Sequence, residues 1–208
     1  MESTAPGLRE AKKLRTRRQL AATALELFLE NGFEAVSVAD VAAAAEVSKP
    51  TLFRYFPTKE DLVLDRFADH QDEAARIVRG RPADVSPVEA LHRHFVEALR
   101  ERDPITGLND HPEVVAFQRL LYSSPGLSAR LAHYTAREVE LLADVLESGA
   151  GYETPFAARL AALCMVTARR ELGQENWRRI AAGRSADECH PDAVADADRA
   201  FGMLARGL

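Results

Sequence analysis

At 208 residues with 47% hydrophobic side chains, the chain has the composition of an ordinary globular protein, which excludes disorder throughout. Its formal charge of −5 argues against a protein that coats nucleic acid indiscriminately, because that needs many cations facing phosphates. The charge is unevenly placed. Arg9, Lys12, Lys13, Arg15, Arg17 and Arg18 meet only Glu10 in the same stretch, a local +5, while residues 61–208 carry 18 basic and 24 acidic side chains. Apolar runs such as 160–168 are bounded by Arg159, Arg169 and Arg170, short of the roughly 20 residues a membrane span needs. No apolar block with a small-residue cleavage site follows the first cations, so the expectation is a soluble, cytoplasmic protein without a membrane partner. Cys164 and Cys189 are too few for a disulfide framework and suit a reducing compartment.

Residues 1–8, with Pro6 and Gly7, read as a flexible arm. From Arg9 to Asn31 the positions Leu20, Ala24, Leu27, Phe28 and Asn31 step by four and three, the period of a helix with one buried stripe, and Gly32 stops it. Ser37 with Asp40 three residues on predicts a capped second helix to about Ala45. Glu46 and Val47 leave room only for a tight turn before Ser48 caps a third helix through Tyr55, with Pro50 in the first turn where its missing N–H is tolerated. Thr58 and Asp61 repeat the cap pattern for a fourth helix expected to reach Arg79. Two short helices joined by a tight turn and flanked by longer ones form a helix-turn-helix.

Beyond Pro82 further helices are expected, punctuated at Ser86-Pro87, Asp103-Pro104, Gly107, His111-Pro112, Pro125-Gly126, 149–151, Gly183 and His190-Pro191. No segment alternates long enough to read as a strand. The fold class is therefore all-α. Val194, Ala197, Phe201, Leu204 and Leu208, spaced three and four apart, form an a/d seam that suits either packing in its own domain or a subunit interface.

A recognition helix needs small or polar residues at the end that enters the major groove. Ser48, Lys49, Pro50 and Thr51 meet that requirement. Lys49 can donate to guanine or phosphate, and Thr51 can offer its hydroxyl to phosphate or its methyl to thymine. Arg54 and Tyr55 lie one turn on, suited to the flanking backbone, and Lys59 sits at the start of the next helix, where phosphate is favoured. Leu52, Phe56 and Val47 read as core.

The stretches from Ala21 to Phe28, Asn31-Gly32-Phe33, Ser37 to Ala42 and Val47 to Leu62 resemble the DNA-binding domain of the tetracycline-repressor (TetR) family. That resemblance implies three N-terminal helices for DNA, a larger helical domain enclosing a small-molecule effector, a homodimer built from the last two long helices, and repression relieved by the effector. It also implies that Ser37, Lys49, Thr51, Tyr55 and Lys59 occupy DNA-touching positions. Phe53 stands where many members have tyrosine, and Arg54 replaces a frequent aromatic, so base preference cannot be transferred from a relative. Phe156, Leu160, Val194, Phe201 and Leu204 are the expected dimerisation residues.

Residues 123–127 and 175–180 resemble a subset of these regulators with a ligand-binding domain of acyl-CoA type. Such an effector needs an apolar tunnel and cations for its phosphates. Phe95, Leu99, Phe117, Leu121 and Leu163 would line the first, with Arg119, Arg169 or Arg170 supplying the second; otherwise these are ordinary core and surface residues. No cofactor is required.

An enzyme is the first rival. The chain has no Gly-rich phosphate loop after a strand, no nucleophile elbow and no His-Glu-x-x-His, and His92 and His94 turn to different helix faces. Cys189 and His190 with Asp187, Glu188 and Asp192 read as a polar loop before Pro191 rather than a metal site. A helical dimer that binds protein partners is the second rival, and it leaves the basic first helix and capped recognition helix without purpose. The expected organisation is an arm (1–8), a helix-turn-helix domain (9–57), a connecting helix (58–81) and a regulatory domain (82–208). The expected function is a ligand-responsive repressor binding an inverted-repeat operator in double-stranded DNA as a homodimer; an activator of the same family is the alternative.

Overall fold

A computed structural model describes residues 8–68, 70–149 and 151–207. Ten α-helices and one 3-10 turn account for its regular structure, with no strand among the described residues. The helices are α1 (Leu8–Asn31), α2 (Val38–Ala44), α3 (Lys49–Tyr55), α4 (Lys59–Ala68), α5 (Glu73–Arg79), α6 (Pro87–Arg100), α7 (Pro112–Ser123), α8 (Pro125–Gly149), α9 (Pro155–Ala181) and α10 (Ala186–Gly207); the 3-10 turn is Pro104–Thr106. The arm expected over 1–8 lies outside the described residues except for Leu8, which opens α1.

The chain forms two compact units that do not follow chain order. One holds residues up to 68 together with 120–131, and the other holds 70–119 and 132–207. In the first, Leu20, Ala24 and Phe28 of α1, Val41 of α2, Leu52 of α3 and Leu62, Val63 and Leu64 of α4 are buried, and Phe28 meets Phe33 edge-on at 5.1 Å. Leu120, Leu121, Leu127 and Leu131, at the corner between α7 and α8, are buried too. In the second unit α5, α6, α8, α9 and α10 surround one core that includes Val78, Leu91, Phe95, Leu142, Met165, Trp177 and Phe201.

The fourth helix does not run on to Arg79. It ends at Ala68, and α5 begins after Asp72, with Ala74, Ala75 and Val78 buried in the second unit's core. The two segments serve different cores, and neither glycine nor proline marks the division. Nor does Pro191 break the chain: it stands inside α10 on the exposed face. An interior proline costs a helix about 3 kcal/mol or more, but Cys189, Ala193 and Ala197 on the opposite face are fully buried and hold α10 in place. Cys189 and His190 are therefore helical, and the cysteine is core.

The a/d seam of α10 is internal at its centre. Ala197 and Phe201 are buried in their own unit, with Val194 and Leu204 packed against the same core; Leu208 lies outside the described residues. Between α6 and α7 the 3-10 turn presses onto α9, where a Cβ on Gly107 (φ +70) would meet the Gly173 carbonyl oxygen at 1.9 Å. Asn176 Nδ2 donates to the Thr106 carbonyl at 2.9 Å, both residues being buried. The 175–180 segment thus has a structural task, anchoring this turn.

Candidate nucleic-acid interface

The α2–turn–α3 unit is fixed by side chains bonding to backbone three residues away. Asp40 N–H donates to Ser37 Oγ at 3.2 Å, while Ser37 N–H and hydroxyl donate to Asp40 Oδ2 at 2.8 and 2.6 Å. These bonds from Ser37, with Lys49 nearby, hold the Asp40 pKa below its ordinary value. The expected capping box is therefore present. Glu46 takes a left-handed conformation (φ 54), and Val47 N–H returns to the Ala42 carbonyl at 2.9 Å, which makes the turn tight. At α3, Ser48 Oγ accepts from Thr51 N–H at 3.2 Å and pairs with the Thr51 hydroxyl at 2.8 Å.

The result is a seven-residue helix with one open face. Lys49, Pro50, Phe53 and Arg54 are exposed, as is Ser48 before them, whereas Leu52 and the following Phe56 are buried. Thr51 and Tyr55 are half-buried, so they flank that face. The Arg54 guanidinium lies 5.7 Å from the Tyr55 ring centroid, a cation–π contact that holds it at the helix end. Ser37 is exposed at the start of α2.

Two cations brace this frame. Arg17 Nε donates to Asp65 at 2.6 Å and Arg17 Nη1 to the Tyr55 carbonyl at 3.1 Å, with the guanidinium 4.7 Å from the Phe56 ring centroid. It ties α1 to α4 and to the last turn of α3, satisfying an orphan helix-end carbonyl. Lys59, expected to meet phosphate, is half-buried: its ammonium donates to the Phe33 carbonyl and lies 4.2 Å from the Phe33 ring centroid and 5.6 Å from that of Phe28. Its geometry fixes the α1–α2 turn to α4. Arg9, Lys12, Lys13, Arg15 and Arg18 remain exposed along α1.

Asp61 does more than cap α4. It accepts from Thr58 N–H at 3.2 Å and receives Arg130 in a two-pronged pair at 2.8 and 3.1 Å, though only 3% of it is exposed. Buried Ser124 donates to Glu34 at 3.0 Å. The α7–α8 corner is thereby fastened to the helix-turn-helix. Sequence reading missed Arg130 altogether, because nothing local to it signals a partner.

The residues expected to hold an effector are not gathered in this way. Phe95 and Leu99 are buried in the second core, Phe95 lying 6.1 Å from Phe201 between ring centroids. Leu163 is 48% exposed on α9, Arg119 is exposed, Phe117 is half-buried, and Leu121 belongs to the first unit. Arg169 is bound by Glu73 at 2.8 Å and Glu138 at 3.0 Å, and Arg170 donates to Thr135. Burial works against the charge of Glu73, but Arg169 at close range, with His94 and His70 beyond it, holds its pKa below the usual glutamate value. At Glu138 burial prevails and pushes the pKa up despite Arg169 and Arg170.

A family model described as "Bacterial regulatory proteins, tetR family" matches residues 20–65. The chain is 38% identical over 137 residues to HTH-type transcriptional regulator TcmR of Streptomyces glaucescens, a match that covers 65% of this chain and 59% of TcmR. The crystal structure of NalD, the secondary repressor of the MexAB-OprM multidrug efflux pump in Pseudomonas aeruginosa, superposes with a TM-score of 0.57 at 18% identity, covering 90% of this chain and 97% of NalD. FadR of Bacillus subtilis, crystallised with stearoyl-CoA, gives 0.54 at 17%, covering 92% and 98%. These two share the fold. The matched segment spans α2, the turn and α3 with their braces Lys59, Asp61 and Asp65, and it is this DNA-binding segment that the chain shares with the tetR family of bacterial regulatory proteins.

Proposed function

We propose that this chain is a transcriptional regulator that binds an inverted-repeat operator as a homodimer and, as a ligand-responsive repressor, releases it when a small molecule binds. The observation that carries the reading is the open face of α3: Lys49, Pro50, Phe53 and Arg54 stand exposed on a helix capped at its start and braced by Arg17 at its end. A rigid helix with a cationic outer face is what major-groove entry requires. The exposed cations of α1 add contacts for the phosphate backbone. Such a protein works in the cytoplasm, where bacterial DNA lies, as a binding protein and not as an enzyme; no helix among the described residues is long and apolar enough to cross a membrane.

The homodimer rests on α9 and α10. Phe156, Leu160 and Leu163, four and three apart on α9, are 75%, 46% and 48% exposed, and Met203 on α10 is 68% exposed. An apolar stripe left in water on adjacent long helices suits a self-complementary two-fold contact. The proposed face keeps Phe156 and Leu160 and adds Leu163 and Met203, while Phe201, Val194 and Leu204 pack on the core of their own unit. For the effector, an acyl-CoA is the first compound to test, given the resemblance of residues 123–127 and 175–180 and the FadR complex.

Binding-site selection from random duplex DNA tests the reading, run beside a Lys49→Ala, Arg54→Ala variant at one fixed salt concentration. Recovery of an inverted repeat by the native chain alone, with half-sites about 34–36 Å apart or a multiple of that, is the expected result. Failure of any sequence to enrich would defeat it. In the same assay Phe156→Glu with Leu160→Glu is expected to give monomers by sedimentation and to lose the repeat. An acyl-CoA titration onto the recovered duplex then tests release.

A further inference from the structure

Of the four exposed residues on α3, Pro50 and Phe53 are the two that cationic chemistry does not explain, and Pro50 has its place in the first turn. Phe53 is 46% exposed, while the other aromatic residues at that end, Tyr55 and Phe56, are half-buried and buried. It lies one turn after Lys49, next to Arg54 and three residues after Pro50, so an apolar spot of ring and pyrrolidine is flanked by two cations. The phenyl carries no hydroxyl, so it can neither donate to a phosphate nor bond to a base acceptor. On the edges of the four bases in the major groove, the apolar group is the 5-methyl of thymine. The flanking Lys49 and Arg54, with the exposed cations of α1, complement a polyanion rather than an apolar protein surface.

We propose that Phe53, supported by Pro50, reads a thymine 5-methyl group in each half-site of the operator. The inference rests on the DNA-binding reading and adds a base to it. Lys49 supplies the hydrogen-bonding part of recognition, and Phe53 supplies discrimination by shape and apolar contact. A half-site recognised in this way contains a thymine, or 5-methylcytosine in its place, opposite the middle of α3.

Deoxyuridine differs from thymidine by that methyl alone and isolates the contact. In the duplex recovered by selection, each thymine of the half-site is replaced in turn, and affinity is measured for the native chain and for Phe53→Ala. One position per half-site should weaken native binding about fourfold, roughly fifteenfold with both half-sites substituted, the effect of one buried methyl group. Phe53→Ala should bind the thymine and uracil duplexes equally, with an unchanged salt dependence. Since Phe53 packs outward, the variant should keep its helical circular dichroism spectrum, which is checked first. Absence of any duplex that binds the native chain defeats the DNA reading itself. A native chain that binds but ignores deoxyuridine overturns this inference alone. So does a Phe53→Ala variant that is weakened on every duplex yet keeps its sensitivity to uracil, since the ring would then be packing on sugar and phosphate.

Discussion

In the helix-turn-helix unit, short polar side chains bond to backbone three residues away, and long cations lie over them. Ser37, Ser48 and Thr58 each receive an N–H three positions on, and Arg17, Lys59 and Arg130 then tie the resulting helix starts and ends together. In the second unit the main polar feature is interior. Arg169, with its side chain 10% exposed, lies between Glu73 of α5 and Glu138 of α8, partners 96 and 31 residues away in sequence. The first unit sets most of its polar bonds at helix starts and ends, with Asp61 and Ser124 as its buried members, and leaves one face of α3 open. In the second unit one cation of α9 joins carboxylates of α5 and α8, helices far apart along the chain.

The sharpest way to break this comparison is to remove the interior cation. Arg169→Ala leaves two carboxylates in low dielectric without their partner, and the expected loss is about 3–5 kcal/mol in urea unfolding. Glu138→Gln should behave differently. Burial already pushes the Glu138 pKa up, so its proton is held more tightly folded than unfolded, and stability falls as pH rises from the usual glutamate range to that raised value. Glu138→Gln should abolish this slope and leave stability at neutral pH unchanged or higher. Glu73→Gln, at a carboxylate whose charge Arg169 favours, should cost about 1–3 kcal/mol. Equal losses from the two glutamines would mean that the carboxylates share the arginine evenly.

Arg130→Ala carries the comparison into the first unit, with a smaller expected cost. Asp61 is nearly fully buried, but the Arg130 side chain is 30% exposed, and Asp61 keeps its bond from Thr58 when Arg130 is removed. About 2 kcal/mol is expected, below the Arg169 effect because one partner already faces water. Hydrogen exchange at α4 and at residues 120–131 should speed up together. Exchange confined to residues 120–131 would show that the corner does not support the helix-turn-helix.

How much of this could be read from the chain follows from sequence separation. Each cap was visible because acceptor and donor stand three residues apart, as with Ser37 and Asp40 or Ser48 and Thr51, and the apolar stripe of α1 was visible for a similar reason. Arg17 bonds across 48 residues, Lys59 across 26 and Arg130 across 69, and a cation's sequence neighbours say only that it is charged. From its sequence neighbours Lys59 therefore reads as a phosphate ligand, whereas its ammonium bonds the Phe33 carbonyl and faces two rings. Pro191 failed for the opposite reason. Local propensity there points to a break, and burial of Cys189, Ala193 and Ala197 overrides it.

The smallest effect belongs to the most legible feature. Ser37→Ala removes the hydroxyl that accepts the Asp40 N–H and bonds the Asp40 carboxylate, and the cost expected for losing such a cap is about 1 kcal/mol. Its pH dependence identifies the cause. Ser37 holds the Asp40 pKa below its ordinary value, so the carboxylate's contribution is complete above the unfolded value, near 3.8, and is lost as pH falls through the lower folded value. The gap between the native chain and Ser37→Ala should therefore be constant at neutral pH and narrow below pH 3.8. A gap unchanged into acid would place the stabilisation in the hydroxyl and backbone alone. Because α3 follows this cap through a tight turn, Ser37→Ala should also weaken operator binding at neutral pH by no more than the stability it removes, about fivefold. A larger loss would show that Ser37 touches the DNA itself.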